Sequence, residues 1–154
     1  MKIYLMQHGK PVSKEEDPNK PLSEQGRDDV ERVSRFIKMC DVTIDEIFHS
    51  GKTRAKQTAE IVMSQLNPGQ NPKEKSGLSS LDDVEGIASE INERDKDLFI
   101  AGHLPHLGKL ISLLVTGNDS FPVVGFQQGG LVCLEKKEEV GWTISWMLVP
   151  QIIR

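Results

Sequence analysis

A chain of 154 residues, 37% of them hydrophobic, suits one globular domain with its own core, and residues 1–154 are read as a single unit. A net charge of −4 and a pI near 5.6 exclude the basic surface that nucleic acid or an anionic membrane demands. No apolar run approaches the roughly 18 residues of a membrane span, and the start at Met1-Lys2 lacks a signal-peptide core, so a cytoplasmic protein is expected.

In chain order, Lys2 to Gln7 reads as a buried strand, and the proline-bearing stretch Lys10 to Lys20 as a loop. Ser23 is placed to cap a helix whose apolar face is Val30, Val33, Ile37 and Cys40. A second strand is expected over Ile44 to Ser50. A second helix follows, with Ala55, Ala59, Val62, Met63 and Leu66 on one face, ended by Asn67-Pro68-Gly69. Gln70 to Gly77 reads as a loop. Asp82 and Glu85 have the spacing of a capping box for a helix that turns Val84, Ile87, Ala88 and Ile91 inward. Leu98 to Ala101 is a third strand, and Pro105 opens a helix carrying Leu107, Leu110, Ile111 and Leu114. Gly130 to Glu135 and Trp142 to Val149 read as a hairpin around a solvated turn at Lys136 to Glu139. Its alternation sends Trp142 and Trp146 to the same face. Cys40 and Cys133 are expected as two buried free thiols. The pattern predicts an α/β three-layer sandwich: a mostly parallel central sheet, helices on both faces and a C-terminal β-hairpin.

Two segments put a histidine beside a glycine directly after an apolar β-type run: Leu5-Met6-Gln7-His8-Gly9 and Ile100-Ala101-Gly102-His103. Ligands of open α/β sheets bind at the carboxyl ends of strands, so both histidines are expected at one rim. Between them, Ser50-Gly51-Lys52-Thr53-Arg54-Ala55-Lys56-Gln57-Thr58 runs from a strand end into a helix. Such a junction offers free N–H groups to an anion, and Arg54 adds a charged fork. Taken with Pro21-Leu22-Ser23-Glu24-Gln25-Gly26 and Gly102-His103-Leu104-Pro105, these motifs in this order resemble the histidine phosphatase superfamily, of phosphoglycerate-mutase-like fold. Within it, the whole chain, including its ending from Gly130 through Trp146 to Pro150, resembles the short SixA-type branch of phosphohistidine phosphatases.

The resemblance implies phosphoryl transfer through a covalent phosphohistidine. His8 is the nucleophile, Arg54 and a charged His103 hold His8 neutral and bind the phosphoryl group, and Gly9 and Ser50 assist. No metal and no cofactor is expected, because side chains supply the positive charge. The partner is a phosphorylated protein, a phosphohistidine domain, or a small phosphorylated metabolite. Gln7 departs from the pattern, standing where the family has an arginine, and Lys20 replaces a second arginine just before the proline-leucine segment. Glutamine gives neutral hydrogen bonds of about 0.5–1.5 kcal/mol where charged ones contribute about 1.5–3, so reduced activity is expected. Lys10 or Lys20 can compensate in part. Asp83, with Asp82 second, is the candidate general acid, although helix capping accounts for the same segment. Two alternatives stay open: a small-molecule phosphomonoesterase, and a silent phosphate- or phosphoprotein-binding module. His106, three residues after His103, is expected at the solvent or the rim rather than on a metal, and His49 is left unassigned.

Overall fold

The computed structural model describes residues Met1–Arg154. In chain order it contains β1 (Lys2–Gln7), α1 (Glu24–Met39), β2 (Glu46–His49), α2 (Thr53–Leu66), β3 (Lys73–Glu74), α3 (Glu85–Glu93), β4 (Leu98–Gly102), α4 (His106–Thr116), β5 (Leu131–Lys137) and β6 (Gly141–Leu148). A short 3₁₀ turn (Pro150–Ile152) follows. The strands form one sheet in the order β3-β2-β4-β1-β5-β6. The first four run parallel, and β5 and β6 are antiparallel additions. This is the mixed α/β sandwich with a terminal hairpin that the alternation of elements predicts.

Both faces of the sheet are covered, so the inner strands are apolar on both sides. Ile3 and Leu5 of β1 join Leu98 and Ile100 of β4 in a cluster with Ile87 and Ile91 of α3 and Leu107, Leu110 and Ile111 of α4. Tyr4 and Met6 face the other way, with Phe99 and Ala101, against Val30, Val33 and Ile37 of α1 and Val62 and Met63 of α2. The Ser23 hydroxyl caps α1, accepting from the Gly26 N–H at 3.0 Å. No helix is long and apolar enough to cross a membrane.

Several local expectations are corrected. The second strand is shorter, Glu46–His49, although Ile44 is still buried. The stretch read as a loop contributes a two-residue strand, Lys73–Glu74, paired with Phe48 and His49. The Asp82 carboxylate accepts from Ser79 N at 2.9 Å and turns its own loop, while Asp83 accepts from Glu85 N at 2.9 Å at the start of α3. Asp83, not Asp82, therefore serves the helix terminus. Cys40 is exposed, since α1 ends there, and only Cys133 is a buried thiol.

The hairpin holds the largest departure. Cys133 pairs with Trp146 and Leu134 with Ile144, so Ser145 is an extra residue on β6. A one-residue bulge exchanges the faces of everything beyond it. Trp142 accordingly packs with the α3–α4 cluster and Trp146 with the α1–α2 cluster, on opposite sides of the sheet.

Candidate active site

Register brings the histidines together. Gln7 pairs with Gly102, and Ala101 with both Met6 and His49, so β1, β2 and β4 end at one level. The His8 N–H donates to Gly102 O at 3.0 Å, extending the β1–β4 ladder one residue past the strand. The His8 and His103 rings stand 5.0 Å apart, inclined at 55°, and both are buried. Ser50, one residue past β2, puts its hydroxyl 2.6 Å from His103 Nε2.

The hydrogen bonds of His8 fix its proton. Nδ1 lies 2.7 Å from Gly9 O, a group that can only accept, so Nδ1 carries the hydrogen. Nε2 lies 3.2 Å from Arg54 Nε, a group that can only donate, so Nε2 presents a lone pair. Burial pushes the His8 imidazolium down to about 4. The Gly9 hydrogen bond opposes this, and the charges of Arg54 and Lys20 add to it. The ring is thus a neutral imidazole at neutral pH, with the electron pair of Nε2 turned toward Arg54.

His103 differs from expectation. Burial, then His8, Arg54, His106 and Lys52, push it down to about 3, so it is uncharged at neutral pH rather than cationic. Arg54 and Lys20 supply the fixed charge near His8. Arg54 stands in the first turn of α2, whose N-cap, Lys52, offers no side-chain hydrogen bond, leaving that helix end open to an anion. Lys20 holds a left-handed backbone, φ 48°, in the loop before α1. Lys10 is exposed and is not among the groups that shift His8.

Gly9 orients His8 through its carbonyl, and its missing side chain is required by α1. A Cβ there would stand 2.8 Å from Gly26 O and 2.9 Å from Val30 Cγ2. The Gly9 N–H donates to Thr58 Oγ1 at 3.1 Å, and that hydroxyl donates to Arg54 O at 2.8 Å. Gln57 Oε1 accepts from Leu22 N at 2.7 Å, tying the Pro21–Gly26 segment to α2. Thr58 and Gln57 were not singled out as site residues. Their signal lay in the spacing, since positions three and four after Arg54 share its helix face.

Gln7 reaches the rim, but its side-chain oxygen is buried without a partner. Asp83 is not brought to the rings; it is exposed at the start of α3, and every charge bearing on His8 or His103 is cationic. His106 is fully buried, against the expectation of a rim position, and burial holds it down while the Gly77 backbone beside it opposes that. His49 is also buried, accepting from Gly51 N at Nδ1 at 3.0 Å. No group of three or more His, Cys, Asp or Glu side chains is placed to hold a metal.

Comparison with known proteins identifies the family. The family model described as the histidine phosphatase superfamily (branch 1) matches residues 3–105. The chain belongs to that superfamily, a family of phosphatase hydrolases. Within it the similarity runs to the SixA type. Phosphohistidine phosphatase SixA of Escherichia coli is 25% identical over 155 residues, spanning 97% of this chain and 94% of that protein. A solved structure of the protein histidine phosphatase SixA complexed with tungstate superposes with a TM-score of 0.85 at 25% identity, covering 98% of each chain. A phosphoserine phosphatase mutant from Entamoeba histolytica, in complex with phosphoserine, shares the fold alone, with a TM-score of 0.72 at 12% identity over 97% of this chain and 98% of that one.

Proposed function

We propose that the protein is a phosphohistidine phosphatase acting on a phosphorylated protein through a phosphoryl-His8 intermediate, with activity reduced by Gln7. The observation that carries this reading is the fixed tautomer of His8: a proton held at Nδ1 by Gly9 and a lone pair at Nε2 beside Arg54. In the first step, Nε2 forms a bond to phosphorus while the P–N bond to the substrate imidazole breaks. The leaving ring departs neutral when its other nitrogen already carries the proton. In the second step, water attacks phosphorus, the P–N bond to His8 breaks with its electrons returning to Nε2, and the water proton passes to the departing phosphate. Arg54 and the open end of α2 balance the charge spread over the phosphoryl oxygens. As that dianion enters, it favours protonation of His103, whose Nε2 then donates toward Ser50 or the ligand.

No carboxylate is among the groups acting on either ring, which favours a phosphoramidate over a phosphate ester. An alkoxide needs an acid to leave, and Asp83 is engaged with Glu85 N instead. Support for a protein substrate comes from the SixA relative named a phosphohistidine phosphatase.

The test is to mix the protein with a phosphohistidine-bearing protein, quench under alkaline conditions and weigh the products by mass spectrometry. A phosphoryl group is expected on the wild type and none on His8→Ala. Wild type that binds the phosphoprotein without acquiring phosphate would instead be the silent binding module. Asp83→Asn should leave phosphohistidine hydrolysis unchanged, whereas a metabolite esterase relying on that acid would lose turnover.

A further inference from the structure

We propose that the protein has a second binding site, at the end of the sheet away from the histidines, for a small organic cation with an aromatic body. A cavity of about 440 Å³ lies between the last turn of α1, the first half of β1 and the second half of β6. That volume is within the range small ligands occupy. Three aromatic side chains line it, Tyr4, Phe36 and Trp146. Trp146 reaches this face only because the bulge at Ser145 reverses the strand's alternation.

Tyr4 is 3% exposed, its ring lies 6.0 Å from that of Trp146, and its hydroxyl forms no hydrogen bond with the protein. That hydroxyl opens onto the cavity, where it is free to donate to or accept from a ligand. Beside it, the Asp97 carboxylate is anchored through one oxygen, which accepts from Lys2 N at 2.6 Å, while the other forms no hydrogen bond. Asp41 adds a second carboxylate against the single ammonium of Lys2, leaving the lining one charge negative. Phe36 and Trp146 in the lining add the attraction of aromatic rings for a cation to that of the two carboxylates. A monocation on an apolar body satisfies all three features, whereas an anion opposes the charge and a neutral analogue uses only the walls.

The experiment titrates the intact protein with phenethylamine, following tryptophan fluorescence, alongside phenethyl alcohol and phenylacetate. The expected result is a saturable change with phenethylamine, with the other two binding about tenfold more weakly or less. Asp97→Asn keeps the acceptor that Lys2 N–H needs and should weaken phenethylamine about fivefold or more. Asp41→Asn should weaken it in the same direction, and Trp146→Phe should abolish the signal, because Trp142 lies across the sheet. His8→Ala should bind phenethylamine like the wild type, so this site stands or falls apart from the phosphatase reading. A non-saturating response, phenylacetate binding as well as phenethylamine, or both aspartate variants leaving affinity unchanged would overturn the proposal.

Discussion

The two nitrogens of His8 face different partners, a backbone carbonyl at Nδ1 and a guanidinium at Nε2, and each partner permits one protonation state. Burial, with help from Arg54 and Lys20, keeps that state neutral down to about pH 4. An NMR titration of the His8 ring should therefore show its midpoint near 4, and Arg54→Met should move the midpoint upward, because it removes a cation that disfavours the imidazolium. A wild-type midpoint near 6.5 would mean that the ring is solvated and that the pocket does not prepare His8 for the nucleophilic role proposed for it. Gln7 poses the complementary problem, an amide oxygen buried with nothing to accept from. Gln7→Arg replaces it with a charged fork aimed at the same rim. If the exchange of a neutral for a charged contact, roughly 1–2 kcal/mol, acts fully in the transition state, kcat/KM should rise about five- to thirtyfold. An unchanged or lower value would overturn the proposal that the missing charge limits turnover.

At the scale of elements, the site depends on α2 being tied to the end of β1, and Thr58 makes that tie. Its hydroxyl accepts from Gly9 N and donates to Arg54 O, linking the residue that orients His8 to the helix that carries Arg54. Thr58→Val keeps the shape and removes both bonds. Urea denaturation should show a loss of about 1–3 kcal/mol, from the buried Gly9 N–H left unpaired. Steady-state kinetics should show kcat falling more than KM rises, since binding groups stay in place while the His8 ring loses its orientation. The sequence announces these elements where periodicity is uninterrupted. The apolar runs of β1 and β4 and the Arg54-to-Thr58 helix start lead directly to the rim that gathers His8, Arg54 and His103. It conceals what depends on one residue of register or on the far side of a loop. Ser145 looks like any alternating position, yet the bulge there parts the two tryptophans. Cys40 keeps helical spacing from Ile37, but the helix has already ended. His106 reads as a polar residue at a helix start, and only the packing of α4 makes it fully buried. Asp83 could be read as an acid or a cap because both uses want a carboxylate before a helix, and the three-dimensional path of the chain decides between them.

For the whole molecule, the placement of histidine sets how the fold responds to acid. All four histidines, His8, His49, His103 and His106, are buried, and burial is the largest cause lowering each of them from 6.5. In the unfolded chain these rings bind protons as the pH passes below 6.5. In the folded chain His8 and His103 refuse them until about 4 and about 3. Between those limits the unfolded state carries more protons than the native state, so stability falls with pH throughout that window. The contribution is complete above pH 6.5 and is lost as the folded-state values are approached. Thermal unfolding should therefore show a Tm nearly constant above pH 7 and declining steadily from pH 6.5 toward 4.5. His106 isolates one buried ring for the test: burial is the largest cause holding it down, the Gly77 backbone opposes that, and its own charge would bear on His103. Compared with its own Tm at pH 7, His106→Leu should lose less on acidification than the wild type, because one proton-binding group is gone from the unfolded state. A wild-type Tm that stays flat from pH 6.5 to 4.5 would show that the rings take up protons as readily folded as unfolded. The rim would then be open to water, and the neutral nucleophile would have lost its physical basis.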